Sequence, residues 1–265
     1  MVNIDKKLFL QYSDNVIAVT SGIGSMGKTW FSVTLAHALN MLSNSVLLLD
    51  ADNGVLNAGF QLALEKKSNL NQVMNDELTV FQARIPLNRK KFDVLTGQTG
   101  SFLLENVPDG RLQILHEDLY ILAQNYDYVL CDIPPSDRVK QHLLSQNVTL
   151  LLVCTNDPSN LVSTYDYLKD IVGKKQYKNL QIVVNYANSY EEGLQTYGII
   201  RRACEQYIKE TPKLLGVVRR DTRVRDAIRN HVLLLNRYPN SEAAEDVMQI
   251  ARNMIKMGDK YEQAE

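Results

Sequence analysis

The chain has 265 residues and a formal net charge of −1, so its overall charge gives no attraction to nucleic acid or to an anionic membrane surface. Three cysteines without close pairing indicate neither a disulfide framework nor a zinc site. No segment reaches the roughly 18 apolar residues of a membrane helix, so we expect a cytoplasmic protein. We predict a single domain over residues 1–265, with flexible ends at 1–14 and 258–265.

Apolar runs of strand length alternate with helical stretches along the chain. The runs do not alternate with polar residues, which is typical of strands buried on both faces of a parallel sheet. In chain order the pattern predicts a strand at 16–20, a helix at 28–42, strands at 45–49, 92–95 and 128–133, a helix at 138–145, a strand at 149–155, a helix at 160–172, a strand at 180–185, a helix at 192–209, a strand at 214–218 and a helix at 242–256. This alternation predicts a layered α/β domain.

Residues 22–29 read Gly-Ile-Gly-Ser-Met-Gly-Lys-Thr and fit the pattern G-x-x-x-x-G-K-[ST] between a predicted strand and a predicted helix. Glycines in such a loop let backbone N–H groups surround phosphates, and the helix N-terminus adds its positive dipole end. Lys28 would reach the β and γ phosphates, and the Thr29 hydroxyl would bind Mg²⁺. A chance Gly-rich turn is the alternative. We assign to the nucleotide site Gly24, Ser25, Met26, Gly27, Lys28, Thr29 and Trp30.

Three acidic residues follow apolar strands. Asp50 and Asp52 come at the end of the second strand, where ligands of such folds bind. One would hold a Mg²⁺-bound water and the other would orient the attacking water. We assign Asp50 to the metal site, and Asp52 with Lys28 to catalysis. A helix cap or turn at 52–54 is the alternative. Asp132 ends a further apolar strand, as in a Walker B motif, and would hold Mg²⁺ directly or through water.

Together these motifs resemble the MinD/ParA group of P-loop ATPases, and most of all its FlhG/FleN branch of flagellar-number regulators. The resemblance runs from about residue 16 to residue 254. Besides the phosphate loop, it depends on the strand at 16–22, on 46–52 as a switch I segment, and on 126–132 as the approach to Walker B. Further matching residues are Gly54, Leu56, Asn57, Val183, Val184, Asn185, Asp221, Val224, Arg225, Tyr238, Pro239 and Ser241.

The resemblance implies a single doubly wound, mostly parallel sheet with helices on both faces. It implies binding of ATP or ADP with Mg²⁺, slow hydrolysis coupled to dimerisation, and an Asn185 that reads the adenine. Such proteins are switches for the spatial or numerical control of flagella, the pole or division. They act with a regulatory protein partner at a membrane, pole or nucleoid; the identity of that partner is open here.

Two departures from the family pattern concern the γ-phosphate. The family's signature lysine, which reaches across the dimer, corresponds to Ile23, and an apolar side chain cannot supply that charge. After Asp132 the chain continues with Pro134 and Pro135, which lack N–H donors. We predict that nucleotide binding is retained, that hydrolysis is weak or lost, and that ATP-dependent homodimerisation is altered. The alternative is that another cation, with Arg138 as the candidate, replaces the lysine.

Two surfaces admit further interpretations. The last helix carries an apolar face, which we interpret as docked on the domain rather than on a membrane; it consists of Val247, Ile250, Ala251, Met254 and Ile255. A basic cluster is formed by Arg219, Arg220, Arg223, Arg225 and Arg229. Because Asp221 and Asp226 partly offset its charge, we interpret it as a solvated face or a structural network rather than as a DNA-binding surface. Alternative functions are a catalytically degenerate ATP-binding scaffold, a ParA-like DNA-associated partition ATPase and a metabolic P-loop enzyme.

Overall fold

The structure is a computed structural model and describes residues 15–52, 54–64, 70–88, 90–101, 103–134, 148–174, 177–208 and 210–262. Eight strands form one sheet in the order β3-β4-β2-β5-β1-β6-β7-β8. Strand β3 runs antiparallel to β4, and the other neighbouring strands pair in parallel. The strands are β1 (Val16–Thr20), β2 (Val46–Asp50), β3 (Ile85–Asn88), β4 (Phe92–Leu95), β5 (Tyr128–Asp132), β6 (Thr149–Cys154), β7 (Asn179–Ala187) and β8 (Lys213–Arg219).

Helices cover both faces of this sheet. Those described are α1 (Lys28–Met41), α2 (Ala58–Gln61), α3 (Leu70–Met74), α4 (Val80–Ala83), α5 (Leu103–Asn106), α6 (Asp109–Ala123), α7 (Pro158–Lys174), α8 (Tyr190–Tyr207), α9 (Thr222–Arg229), α10 (Leu234–Arg237) and α11 (Glu242–Glu262).

Strand β1 lies at the centre of the sheet, between β5 and β6. Its side chains alternate between two cores: Val16 and Ala18 belong to one hydrophobic cluster, and Ile17 and Val19 to the other. Successive strand residues point to opposite faces, so a strand with a core on each side must be apolar throughout. This explains why the central strands read as continuous apolar runs.

The C-terminal helix α11 is docked on the domain. Val247, Ile250 and Ala251 are buried in the same hydrophobic cluster as residues of α1. The guanidinium of Arg219, at the end of β8, donates to Asp246 Oδ2 at 2.9 Å and to Glu242 Oε1 at 2.8 Å. The apolar face of α11 is therefore covered by protein, and the first arginine of the basic cluster belongs to an ion-pair network.

The predicted fold class is confirmed: one mostly parallel sheet with helices on both faces. The predicted strands all form, most with ends shifted by one or two residues. Helix α11 continues to Glu262, beyond the predicted end at residue 256, so residues 258–262 are helical. The predicted helix at 138–145 and the ends 1–14 and 263–265 lie outside the described residues.

Helix α6 and strand β3 are two examples among several described elements that were not predicted from the sequence. Helix α6 buries Leu112, Leu115 and Leu119, whose spacing of three and four residues is typical of one helix face. Strand β3 is short and contains Pro86, which lacks the N–H that a central strand needs. Its position at the edge of the sheet and its antiparallel direction agree with that chemistry.

Candidate functional site

The predicted site residues meet at the carboxyl ends of three adjacent strands. The phosphate loop follows β1, Asp50 is the last residue of β2, and Asp132 is the last residue of β5. Asp50 and Asp132 are register partners across the β2–β5 pair. The sheet therefore places two carboxyl groups beside the start of α1, where a parallel sheet binds its ligands.

Close backbone approach fixes the shape of the loop. A Cβ added to Gly22 would lie 2.4 Å from the carbonyl oxygen of Ser163 in α7, so only glycine fits there. Gly27 has φ +78°, a left-handed conformation that favours glycine. A Cβ on Gly24, in contrast, would meet no atom within 4 Å. The loop is thus held at its two ends and open in the middle.

Lys28 is the first residue of α1, and its side chain is only 4% exposed. Its Nζ lies 3.4 Å from Asp52 Oδ2. A buried ammonium needs a partner because desolvation of an unpaired charge is expensive. The two residues assigned to catalysis from the sequence are therefore in contact with each other.

Thr29 and Asp132 are joined by a hydrogen bond: Thr29 Oγ1 donates to Asp132 Oδ2 at 2.5 Å. Ser32 Oγ donates to the other carboxylate oxygen at 3.5 Å. Ser32 was missed from the sequence, although it lies three residues after Thr29 on the same helix face. Hydroxyl and carboxylate oxygens are the ligands that Mg²⁺ prefers, and both are present here within hydrogen-bond distance of each other.

The two carboxyl oxygens of Asp50 differ in their hydrogen bonds. Oδ2 accepts hydrogen bonds from the Ala58 backbone N–H at 2.9 Å and from Thr96 Oγ1 at 2.7 Å. Oδ1 is buried and accepts none from the described part of the chain. Thr96, which follows β4, was not found by the sequence analysis. An orphaned buried carboxylate oxygen is the kind of group that a cation or its bound water satisfies.

The electrostatics of the two buried acids favour a cation. Burial, together with the charge of Asp132, raises the pKa of Asp50 well above its usual range. Burial also raises the pKa of Asp132 to about 6, against the opposing effects of Lys28 and Thr29. No cluster of three or more His, Cys, Asp and Glu suited to a metal occurs within the described ranges. Asp50 and Asp132 supply two buried carboxyl groups, and Mg²⁺ commonly uses one or two carboxylates together with waters and phosphates.

The remaining assigned residues contact the loop or the core. Asn185 is buried, and its Nδ2 donates to the carbonyl oxygen of Met26 at 2.9 Å. The side chains of Met26 and Trp30 are buried in the hydrophobic cluster around α1. These two residues can therefore reach a nucleotide only with their backbone. Ser25 has a positive φ of 65°.

Of the residues at which the chain departs from the family pattern, the structure describes Ile23 and Pro134. Ile23 is 38% exposed on the loop, so its side chain is accessible from solvent. Pro134 is buried after β5. Pro135 and Arg138 lie outside the described residues, so the structure does not place the candidate replacement cation.

A strand, a glycine-rich phosphate loop and a helix, with acids at the ends of neighbouring parallel strands, define the class of P-loop nucleotide-binding proteins. The chain belongs to the CobQ/CobB/MinD/ParA nucleotide binding domain family, whose model matches residues 17–235.

Relatives and solved structures agree with this family. The chain is 26% identical to the antiactivator FleN of Pseudomonas aeruginosa over 251 residues, covering 90% of this chain and 85% of the relative. It is 23% identical to the flagellum site-determining protein YlxH of Helicobacter pylori, covering 90% and 81%. The septum site-determining protein MinD of Pyrococcus horikoshii, complexed with Mg-ADP, shares its fold with a TM-score of 0.74 at 19% identity, covering 92% and 97%.

The described helices include none that is long and apolar enough to cross a membrane.

Proposed function

We propose that the chain is an ATP-binding regulatory switch of the MinD/FlhG type, with Mg²⁺ as its metal. The observation that carries this proposal is the convergence of Lys28–Asp52 and Thr29–Asp132 on one glycine-rich loop. Lysine, hydroxyl and carboxylate groups at the N-terminus of a helix are suited to a phosphate–metal complex. The MinD relative bound to Mg-ADP supports the same ligand.

Each residue has a proposed role. Backbone N–H groups from Gly24 to Thr29 would surround the phosphates, and the Lys28 ammonium would exchange Asp52 for a phosphate oxygen. That exchange would free the Asp52 carboxylate to orient a water molecule. Thr29, Asp50 and Asp132 would hold Mg²⁺ directly or through water. When bound, the metal would neutralise charge on the phosphates.

Hydrolysis is proposed to be weak. The side chain at position 23 is exposed beside the loop, where it would face a nucleotide or a second chain, but it carries no charge. Loss of a cation at a transferring phosphate lowers the rate by orders of magnitude in related chemistry. ATP occupancy rather than turnover would then determine the state of the protein.

The regulatory role is supported by the names of two relatives, an antiactivator and a flagellum site-determining protein. We propose that the chain acts in the cytoplasm, in spatial or numerical control of flagella, a pole or division, through a protein partner and a homodimer with altered ATP dependence. Docking of α11 on the domain and the ion pairs of Arg219 favour this over membrane or DNA association.

The proposal is tested by calorimetric titration of the full chain with Mg-ADP and with a non-hydrolysable Mg-ATP analogue. We expect Lys28→Ala to weaken binding of the analogue at least about tenfold, because a charge-assisted contact to phosphate is lost. Lys213→Ala is the matched control, since Lys213 is exposed at the start of β8 and should not affect binding. Equal affinity of the wild type and Lys28→Ala would refute the assigned site.

Turnover and self-association distinguish a switch from a scaffold. If the chain is a switch, its sedimentation coefficient should differ between the Mg-ADP complex and the complex with the Mg-ATP analogue. This comparison applies to the chain alone and to the chain with a partner protein. A chain that binds both nucleotides with identical assembly in every case would be a degenerate scaffold.

A further inference from the structure

Strand β7 leaves its regular ladder next to the phosphate loop. Its pairing with β8 shifts between Val184 and Ala187, and the two residues in between are Asn185 and Tyr186. Tyr186 has φ +60°, a left-handed conformation that bulky L-residues rarely adopt. Such outliers persist only where the surrounding structure fixes them, and they concentrate at functional sites.

The unusual backbone turns two successive side chains toward the same loop. In a regular strand neighbouring side chains point to opposite faces. Here Asn185 Nδ2 donates to Met26 O at 2.9 Å, and a Cβ built on Gly27 would lie 2.6 Å from Asn185 Nδ2 and 3.2 Å from Tyr186 Cε2. Both side chains therefore press against the residue that precedes Lys28.

Burial in the core does not explain the position of the tyrosine. The residue is 42% exposed, so Tyr186 is not enclosed by the core. The strained backbone holds a half-exposed ring against Gly27, which is itself in a left-handed conformation. The structural consequence of this conformation is therefore the contact between Tyr186 and Gly27 of the phosphate loop.

We propose that Asn185 and Tyr186 form a clip that holds the phosphate loop in its binding conformation, with Tyr186 as a positioning residue that acts through Gly27. The inference rests on the proposed function. A loop ordered in advance loses less conformational freedom when phosphates bind, so the clip increases affinity without touching the nucleotide. The amide of Asn185 then serves the loop through Met26, in addition to any contact with a base.

The test compares three variants of the full chain by calorimetric titration. Tyr186→Asn removes the ring but keeps a residue that tolerates positive φ, whereas Tyr186→Phe keeps the ring. Tyr190→Asn is the control, because Tyr190 is similarly exposed, at 50%, at the start of α8. Circular dichroism and urea unfolding verify folding; if Tyr186→Asn is unfolded, Tyr186→Gly removes the same ring without backbone strain.

Two probes separate an effect on the loop from contact with the base: Mg-ADP and inorganic pyrophosphate with Mg²⁺. We expect ring removal to raise Kd for both probes by the same factor, about fivefold to tenfold, and Tyr186→Phe and Tyr190→Asn to bind like the wild type. Unchanged affinity after ring removal overturns the clip, and so does a loss confined to Mg-ADP. Failure of the wild type to bind either probe would instead refute the proposed function.

Discussion

Gly22 provides a direct test of how the phosphate loop is held. A methyl group at this position would lie 2.4 Å from Ser163 O, 2.6 Å from Ser163 C and 2.8 Å from Thr164 N, all backbone atoms of α7. Backbone atoms cannot rotate away as a flexible side chain can. Since ordinary contact begins at 3.4 Å, the loop and α7 must separate by about 1 Å.

We expect Gly22→Ala to lower the free energy of unfolding by about 2–3 kcal/mol, in the upper range for overpacking in a fixed environment. The same separation moves the loop relative to Lys28, so affinity for Mg-ADP should also fall. Gly24→Ala is the matched control in the same loop: its methyl group meets nothing within 4 Å, and its φ is not in the left-handed region. Its stability should equal or slightly exceed that of the wild type.

Urea unfolding followed by the fluorescence of the single tryptophan, Trp30, measures both variants. Trp30 is buried and lies two residues after Lys28, so its emission reports on the start of α1. Coincident unfolding curves for Gly22→Ala and Gly24→Ala would refute the close packing of the loop on α7.

Two other predictions concern the loop charge and a buried histidine. Ile23→Lys restores a cation at an exposed loop position, and we expect ATP turnover, measured by phosphate release, to rise at least about tenfold. Unchanged turnover would show that Ile23 does not limit hydrolysis. Burial lowers the pKa of His37 from 6.5 to about 4, so its neutral form stabilises the fold above pH 6.5, and that contribution is lost as pH falls toward 4. His37→Phe should remove about 3 kcal/mol of this pH dependence in urea unfolding; an unchanged pH profile would contradict the burial of His37.

The sequence was most informative where local pattern and tertiary role coincide. The strands that carry the site are central, so both of their faces are buried and their apolar runs are unbroken. The spacing of Gly22, Gly27, Lys28 and Thr29 reflects close backbone approach and the helix start, which are local requirements. Such features can be predicted from a short window of residues.

The features that were missed depend on residues far apart in the chain. Thr96 reaches Asp50 only because β4 pairs with β2, and this pairing is not encoded in the neighbourhood of either residue. The residue type at position 186 does not predict a left-handed backbone, because tyrosine is normally favoured in strands. Tertiary contact determined its conformation against local preference.

The buried acids connect the stability of the fold to the proposed ligand. Because the pKa of Asp132 is raised to about 6 in the folded chain, the unfolded chain loses this proton at lower pH, and the folded state is destabilised as pH rises through 6. At neutral pH Asp132 is therefore a buried carboxylate, and among the described residues Lys28, Thr29 and Ser32 oppose the cost of that burial. A divalent cation bound there would remove that penalty, and binding would stabilise the fold by mass action. The same charges that make the unliganded site unfavourable are thus what would make Mg²⁺ with a nucleotide favourable, whether or not Ile23 permits hydrolysis.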